Sequence, residues 1–422
     1  GAPRPAARVA QPRGVTVAGS VKNYVPVTDE MLLHPPAGDW LMARRSYQGW
    51  SYSPLTDINT ATVKDLRLAW VWNMNEGGAN QTMPLVHNGI MYLWNTGNTI
   101  QALDAATGDL IWEHEVGPLG HIGCGSMRNI AIYGDKIIAA TTDARIVALS
   151  AINGTKAWET VIADRTKGYS NTSGPIIARG KVIQGLQGCT RYGTDRCFIS
   201  AYDVNTGQQV WRFNTMAHKG EPGGDTWGKL EDNFRQGGET WIAGSYDPDL
   251  HLTYWGIAQA KPWMPASRGN TVFDDSLYSA STVALDVDTG KLAWHFQHIP
   301  GESFDLDEVF ERVLVDNGPD KFLFSIGKSG IRWKLDRRTG AFVNARETVF
   351  QNVYDRLDPK TGRITYRNDI MEQKVEQWIQ SCPSTEGGHN WQAMSYHQPT
   401  NALIIPLQQS CMELSGLSLI HI

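Results

Sequence analysis

Ala102-Leu-Asp-Ala-Ala-Thr-Gly108, followed four residues later by Trp112, is the stretch on which the fold turns. It recurs as Ala148-Leu-Ser-Ala-Ile-Asn-Gly154 with Trp158, as Ala201-Tyr-Asp-Val-Asn-Thr-Gly207 with Trp211, and as Ala284-Leu-Asp-Val-Asp-Thr-Gly290 with Trp294. A fifth copy, Lys334-Leu-Asp-Arg-Arg-Thr-Gly340, carries Asn344 at the tryptophan position. Each copy reads as one unit. An alternating strand ends at Asp, a D-x-x-T-G turn follows, and a return strand carries the tryptophan. The Asp and Thr side chains bond nearby backbone and the Gly is free to take positive φ. The glycines are 46, 53, 83 and 50 residues apart. Periods of roughly 45–50 residues with several strands per unit mark a propeller, whose blades must stack to bury their faces. The 83-residue gap holds either an insertion or a blade with a blurred signature, and the polar, Gly/Pro-rich Met216–Gly238 stretch is the expected insertion.

Composition agrees. Of 422 residues, 41% are hydrophobic and 19% charged, enough to build a large core and too apolar for wholesale disorder. The 42 glycines and 16 tryptophans suit many short packed strands. With 38 basic against 43 acidic residues and no basic stripe, nucleic acid is not an expected partner. No apolar run reaches the ~18–20 residues of a membrane helix. Residues 1–38, Pro/Ala/Arg-rich at their start, read as an extension or linker without an apolar signal segment. Residues 39–416 are expected to form the propeller, and 417–422 read as a non-native tail after a truncated end.

Five cysteines leave one unpaired. Cys189 and Cys197 flank a polar loop, and Cys382 and Cys411 bracket strand-like segments, so two disulfides are expected, contributing roughly 2.5 and 3.6 kcal/mol in the chain-entropy model. The alternative is five reduced, buried thiols. Disulfides imply an oxidising compartment, the periplasm or another extracytoplasmic space. No CxxC or CxxCH is present, which argues against a zinc ribbon and covalently attached haem.

Further motifs accompany the repeat: Gly237-Gly-Glu-Thr-Trp241, Tyr254-Trp-Gly256 with Lys261-Pro-Trp263, Ser303-Phe-Asp305-Leu-Asp307 and Gly387-Gly-His-Asn-Trp-Gln392. With them, the chain from Asp39 to about Gly416 resembles the pyrroloquinoline quinone (PQQ)-dependent alcohol dehydrogenases of the methanol/ethanol family. The resemblance implies an all-β, PQQ-dehydrogenase-type β-propeller. The family has eight blades, and this chain holds five to six. It also implies oxidation of an alcohol to aldehyde or ketone by hydride transfer to PQQ, with a Ca²⁺ or lanthanide ion assisting and a separate cytochrome c or quinone accepting the electrons. A non-catalytic propeller scaffold, or an inactive fragment of the enzyme, is the alternative.

The resemblance also assigns residues. Asp305 matches the catalytic base, and Asp307 matches an extra metal ligand found in lanthanide-using members. An extended segment places these two aspartates on one face, where one carboxylate takes a proton and the other grips a hard cation. Trp241 matches the floor under the planar cofactor, a role suited to a flat aromatic ring. Arg128, Thr172, Lys328 and Asn390 match cofactor contacts, and Gln81 falls where the family often has an acidic or amide contact. Three positions depart from the pattern. Thr190 stands where the family has a metal-binding glutamate, and Gln259 where it has a metal-binding asparagine. The adjacent cysteine pair of the family is missing, with only Cys124 nearby.

Overall fold

The computed structural model of the chain describes residues 14–75, 80–117, 127–189 and 193–417. Five antiparallel sheets follow one another along it, each with four strands paired in sequence order. The first has Leu85–His87, Ile90–Asn95, Thr99–Asp104 and Leu110–Glu115, and its outer strand also pairs with Gly14–Val17. The second runs from Ala131–Tyr133 to Lys156–Val161, and the third from Ile176–Ala178 to Gln209–Asn214. The fourth runs from Ser245–Asp247 to Leu292–Gln297, and the fifth from Val313–Asn317 to Phe342–Glu347. A further hairpin, Ser395–His397 with Ala402–Ile404, stands where a sixth blade begins. This is the expected propeller of five to six blades.

The repeat is a cross-strand pair. In the first four copies the alanine lies directly opposite the tryptophan: Ala102 faces Trp112, Ala148 Trp158, Ala201 Trp211 and Ala284 Trp294. A small residue opposite a large one leaves room for the indole. In the fifth copy both partners change together, and Lys334 faces Asn344. Each tryptophan reaches out of its own blade. Trp112 Nε1 donates to Ala151 O of the next turn at 3.1 Å, Trp158 to Val204 O at 3.1 Å, Trp211 to Val287 O at 2.9 Å and Trp294 to Arg337 O at 3.1 Å. The glycine of that next turn lies under the ring. At Gly154, φ is +70° and a Cβ would sit 2.6 Å from Trp112, so only glycine fits. The turn itself is closed by the Asp side chain: Asp104 Oδ1 accepts from Ala106 N at 2.8 Å and Thr107 N at 3.0 Å.

Burial follows from stacking. The third strand, Arg145–Ser150 in the second blade, is buried at five of six positions, whereas the outer Lys156–Val161 is largely exposed. The 83-residue gap is resolved as two insertions, with no additional blade. One, residues 215–244, separates the third and fourth sheets. The other, 257–280, interrupts the fourth sheet between its second and third strands. The first is organised by Arg235, buried, whose guanidinium donates to Leu230 O, Ala217 O and Gly224 O at 2.8–3.0 Å. Residues 14–38 lie against the first two blades, with Val21 N bonded to Ile152 O at 2.8 Å, Val27 paired with Gly134, and Leu32 buried. Both expected disulfides form, Cys189–Cys197 and Cys382–Cys411. Cys124 lies outside the described residues. No described helix is long and apolar enough to cross a membrane.

Candidate functional site

The candidate residues sit on two kinds of loop, and the antiparallel hairpin explains why. A blade's first strand begins at the same end of the sheet where its second strand finishes. The entry loop therefore meets the loop after the second strand, and backbone bonds extend the pairing past the sheet. Lys328 N donates to Asp307 O at 2.9 Å, Ala258 N to Glu239 O at 2.8 Å and Gly238 N to Gln259 O at 3.0 Å. Neighbouring entry loops are also joined: Met83 N donates to Arg128 O at 3.0 Å, and Arg128 N to Thr172 O at 3.1 Å.

One group gathers around Asp305. Gln259 Nε2 donates to Asp305 Oδ1, and Lys328 Nζ lies 2.9 Å from Asp305 Oδ2 and 2.9 Å from Asp307 Oδ2. The two aspartates thus share a face, as the sequence implied, but on a loop rather than on a strand. Phe304 and Leu306 point the other way into the core and are fully buried. Burial, then the charge of Asp307, pushes the Asp305 carboxyl up to about 8, with Lys328 opposing. Burial disfavours the Lys328 ammonium, but Asp307 and Asp305 outweigh it and hold the proton on. A cation between two carboxylates keeps its charge.

The second group is Arg128, Thr172 and Trp241. The Arg128 guanidinium lies over the Trp241 ring, 4.6 Å from its centroid, and donates to Trp241 O at 3.3 Å and Thr172 O at 3.4 Å. Thr172 Oγ1 donates to Gln187 Oε1. Trp241 meets Phe310 edge-on at 5.0 Å, and Phe310 meets His389 at 5.4 Å. Asn390 follows His389, and its Nδ2 donates to Glu386 O at 2.9 Å. That loop rests on Lys328, with Gly388 N donating to Lys328 O at 2.7 Å. Gln81 is half-buried two residues before Met83, with its Oε1 buried and unpartnered. Thr190 lies outside the described residues.

Two observations bear on what these residues can hold. Arg128 makes no ion pair among the described residues, and its Nε is buried without a partner. Burial depresses it to about 10, with only the more distant Asp307 charge opposing. A desolvated cation beside an aromatic face fits a planar polycarboxylate such as PQQ. Gln259 Oε1 and Asp307 Oδ1 are likewise buried without partners, and such oxygens beside Asp305 fit a hard cation. Sequence reasoning gave no role to two acids here. Glu239 is buried and paired with Lys261 at 2.9 Å, and Glu302 is buried three residues before Asp305. Glu239 lies inside the quoted Gly-Gly-Glu-Thr-Trp motif, which was the available signal.

Comparison with known proteins places the chain. A family model described as "PQQ: Glucose/ethanol/alcohol dehydrogenase, beta-propeller domain" matches residues 40–351. Quinohemoprotein alcohol dehydrogenase ADH IIB of Pseudomonas putida is 33% identical over 95% of this chain and 59% of its own length. The dehydrogenase subunit of the quinone alcohol dehydrogenase of Gluconobacter oxydans is 34% identical over 89% of this chain and 53% of its own. The chain therefore spans somewhat over half the length of these relatives. Among solved structures, a europium-containing methanol dehydrogenase superposes with a TM-score of 0.85 at 28% identity, over 93% of this chain and 72% of that one. A five-bladed run pinned by tryptophan, a loop ring carrying Asp305, Lys328, Arg128 and Trp241, and these matches lead to one conclusion: the chain belongs to the PQQ-dependent alcohol dehydrogenase β-propeller family.

Proposed function

We propose that this chain carries the cofactor-binding and proton-accepting face of a quinoprotein alcohol dehydrogenase that oxidises an alcohol to an aldehyde or ketone. The observation that carries the reading is the grip on Asp305: both carboxylate oxygens are held, by Gln259 and by Lys328, while Arg128, without an ion pair among the described residues, lies over the Trp241 ring. Asp305 takes the hydroxyl proton of the substrate on a carboxylate oxygen. Lys328 keeps its positive charge next to that oxygen and orients the carboxylate. Arg128, Thr172, Trp241, Lys328, Asn390 and Gln81 are the residues that hold PQQ, which when bound supplies a two-electron acceptor. Asp305, Asp307, Gln259 and Thr190 are the residues assigned to a Ca²⁺ or lanthanide ion.

Residues 39–416 make up the propeller domain in this reading. The substrate is a small-molecule alcohol, and a separate cytochrome c or quinone takes the electrons. The two disulfides support a periplasmic location. The test is dye-linked alcohol oxidation by the chain reconstituted with PQQ and Ca²⁺ or La³⁺, together with Asp305→Asn. The variant is expected to bind PQQ normally and to lose at least a hundredfold in kcat. Turnover within threefold of the parent chain removes Asp305 from the base role.

A further inference from the structure

Asp305 has φ at +58°. This is the left-handed region, which aspartate enters more readily than most side-chain-bearing residues but still at a cost that its surroundings must meet. The grip on its carboxylate does not account for the backbone. The neighbouring carboxylate of Glu302 bonds that backbone directly. Glu302 Oε1 accepts hydrogen bonds from Phe304 N and from Leu306 N, the latter at 3.0 Å. Phe304 N belongs to the peptide one residue before Asp305 and Leu306 N to the peptide that follows it, so one oxygen ties down the backbone on both sides of the turn. Glu302 is itself buried, only 2% exposed, and its other oxygen has no partner. Phe304 and Leu306 pin their side chains in the core at 0% exposure, which leaves Asp305, between them, projecting toward Lys328.

We propose that Glu302 is a positioning residue for Asp305: by receiving the amides of Phe304 and Leu306 it holds Asp305 at positive φ, with the carboxylate presented to Lys328 and Gln259. This rests on the reading of Asp305 as the proton acceptor. Glu302 acts through the backbone. An amide oxygen of glutamine can receive the same two bonds. An aspartate keeps the charge but falls short by one methylene. Reach, and not charge, is therefore what the position requires.

The test uses the chain with PQQ and Ca²⁺, in parent form and as Glu302→Gln, Glu302→Asp and Glu302→Ala. Glu302→Gln is expected to keep kcat within threefold. Glu302→Asp and Glu302→Ala are expected to lose kcat by thirtyfold or more, with KM for the alcohol and PQQ affinity within twofold. Crystal structures of the same variants give a readout independent of turnover: Asp305 stays at positive φ in Glu302→Gln and leaves it in Glu302→Asp. Should Glu302→Ala fail to fold, the Asp and Gln variants still decide. A parent chain without turnover counts against the dehydrogenase reading alone, and the backbone conformations then decide this proposal. Positive φ at Asp305 in Glu302→Asp, or kcat within threefold in that variant, overturns it.

Discussion

Replacing Trp112 measures how much of the fold rests on the contact between blades. The side chain is fully buried, faces Ala102 in its own sheet, covers Gly154 of the next, and donates from Nε1 to Ala151 O at 3.1 Å. Trp112→Phe keeps most of the ring and removes the bond. Ala151 O retains a donor in Tyr92 Oη at 3.0 Å, so no buried acceptor is orphaned, and the cost is about 1–2 kcal/mol. Trp112→Ala removes the ring as well and leaves a cavity between blades, for about 4–6 kcal/mol in all. Trp158 makes the equivalent bond but is only half-buried, so Trp158→Ala is expected to cost about half as much. Urea unfolding followed by far-UV circular dichroism gives the order, since fluorescence changes with the mutation itself. A Trp112→Ala penalty below about 2 kcal/mol, or a Trp158→Ala penalty equal to it, refutes the interblade role assigned to the indole.

Two further predictions concern buried acids and disulfides. Burial raises Glu308 to about 8, with Ser329 and Arg312 opposing, so the folded state holds a proton that the unfolded chain releases near its ordinary value. Its contribution to stability is complete at low pH and is lost as pH rises toward 8, at up to about 1.4 kcal/mol per pH unit. Glu308→Gln is expected to gain on the parent between pH 5 and pH 8 in urea midpoint, and parallel profiles would contradict the assignment. Opening Cys382–Cys411 by a double serine substitution is expected to cost about 3.6 kcal/mol, against about 2.5 kcal/mol for Cys189–Cys197, because it closes the longer loop. An inverted order in denaturant unfolding argues against the loop-entropy account.

The blades were legible because the Ala–Trp spacing is one cross-strand pair repeated in four blades. Two members of the series escaped notice for physical reasons. Trp70 packs over Gly108 and donates to Ala105 O at 3.2 Å, as the later tryptophans do, but no D-x-x-T-G turn precedes it. Asp358-Pro-Lys-Thr-Gly362 is such a turn, with Asp358 Oδ1 accepting from Lys360 N at 2.8 Å, yet it falls only 22 residues after Gly340 and so breaks the period. Phe342 lies over its Gly362, taking the place that Asn344 cannot fill. Glu302 left no pattern, since a side chain bonded to amides two and four residues on produces no periodicity. Residues 14–38 look like a linker because their few apolar side chains are spaced without a helical or strand period, although they dock by backbone pairing.

The repeat and the candidate site occupy opposite ends of each blade, and the topology makes that separation a consequence. The D-x-x-T-G turn joins strands three and four, at the end where strands one and two also turn. Ala105 N donates to Gly89 O, Ala151 N to Asp135 O, Val204 N to Gly180 O, Val287 N to His251 O and Arg337 N to Lys321 O, all at 2.7–3.0 Å. Five blades thus lock their two turns together in the same way, and the tryptophan fastens each locked pair to the blade before it. Uniform sequence is needed there because every joint has the same geometry. The other end carries no such joint. Its entry loops and second-to-third-strand loops are joined by backbone bonds, which accept any side chain, and by side-chain bonds that differ from one blade to the next. Arg128, Thr172, Trp241 and Asp305 come from four entry loops, and Gln259 and Lys328 from two loops after second strands, so each differs freely from its counterpart in the next blade. A repetitive scaffold can therefore present a ring of unlike residues: the part of the sequence that repeats is the part that does no chemistry.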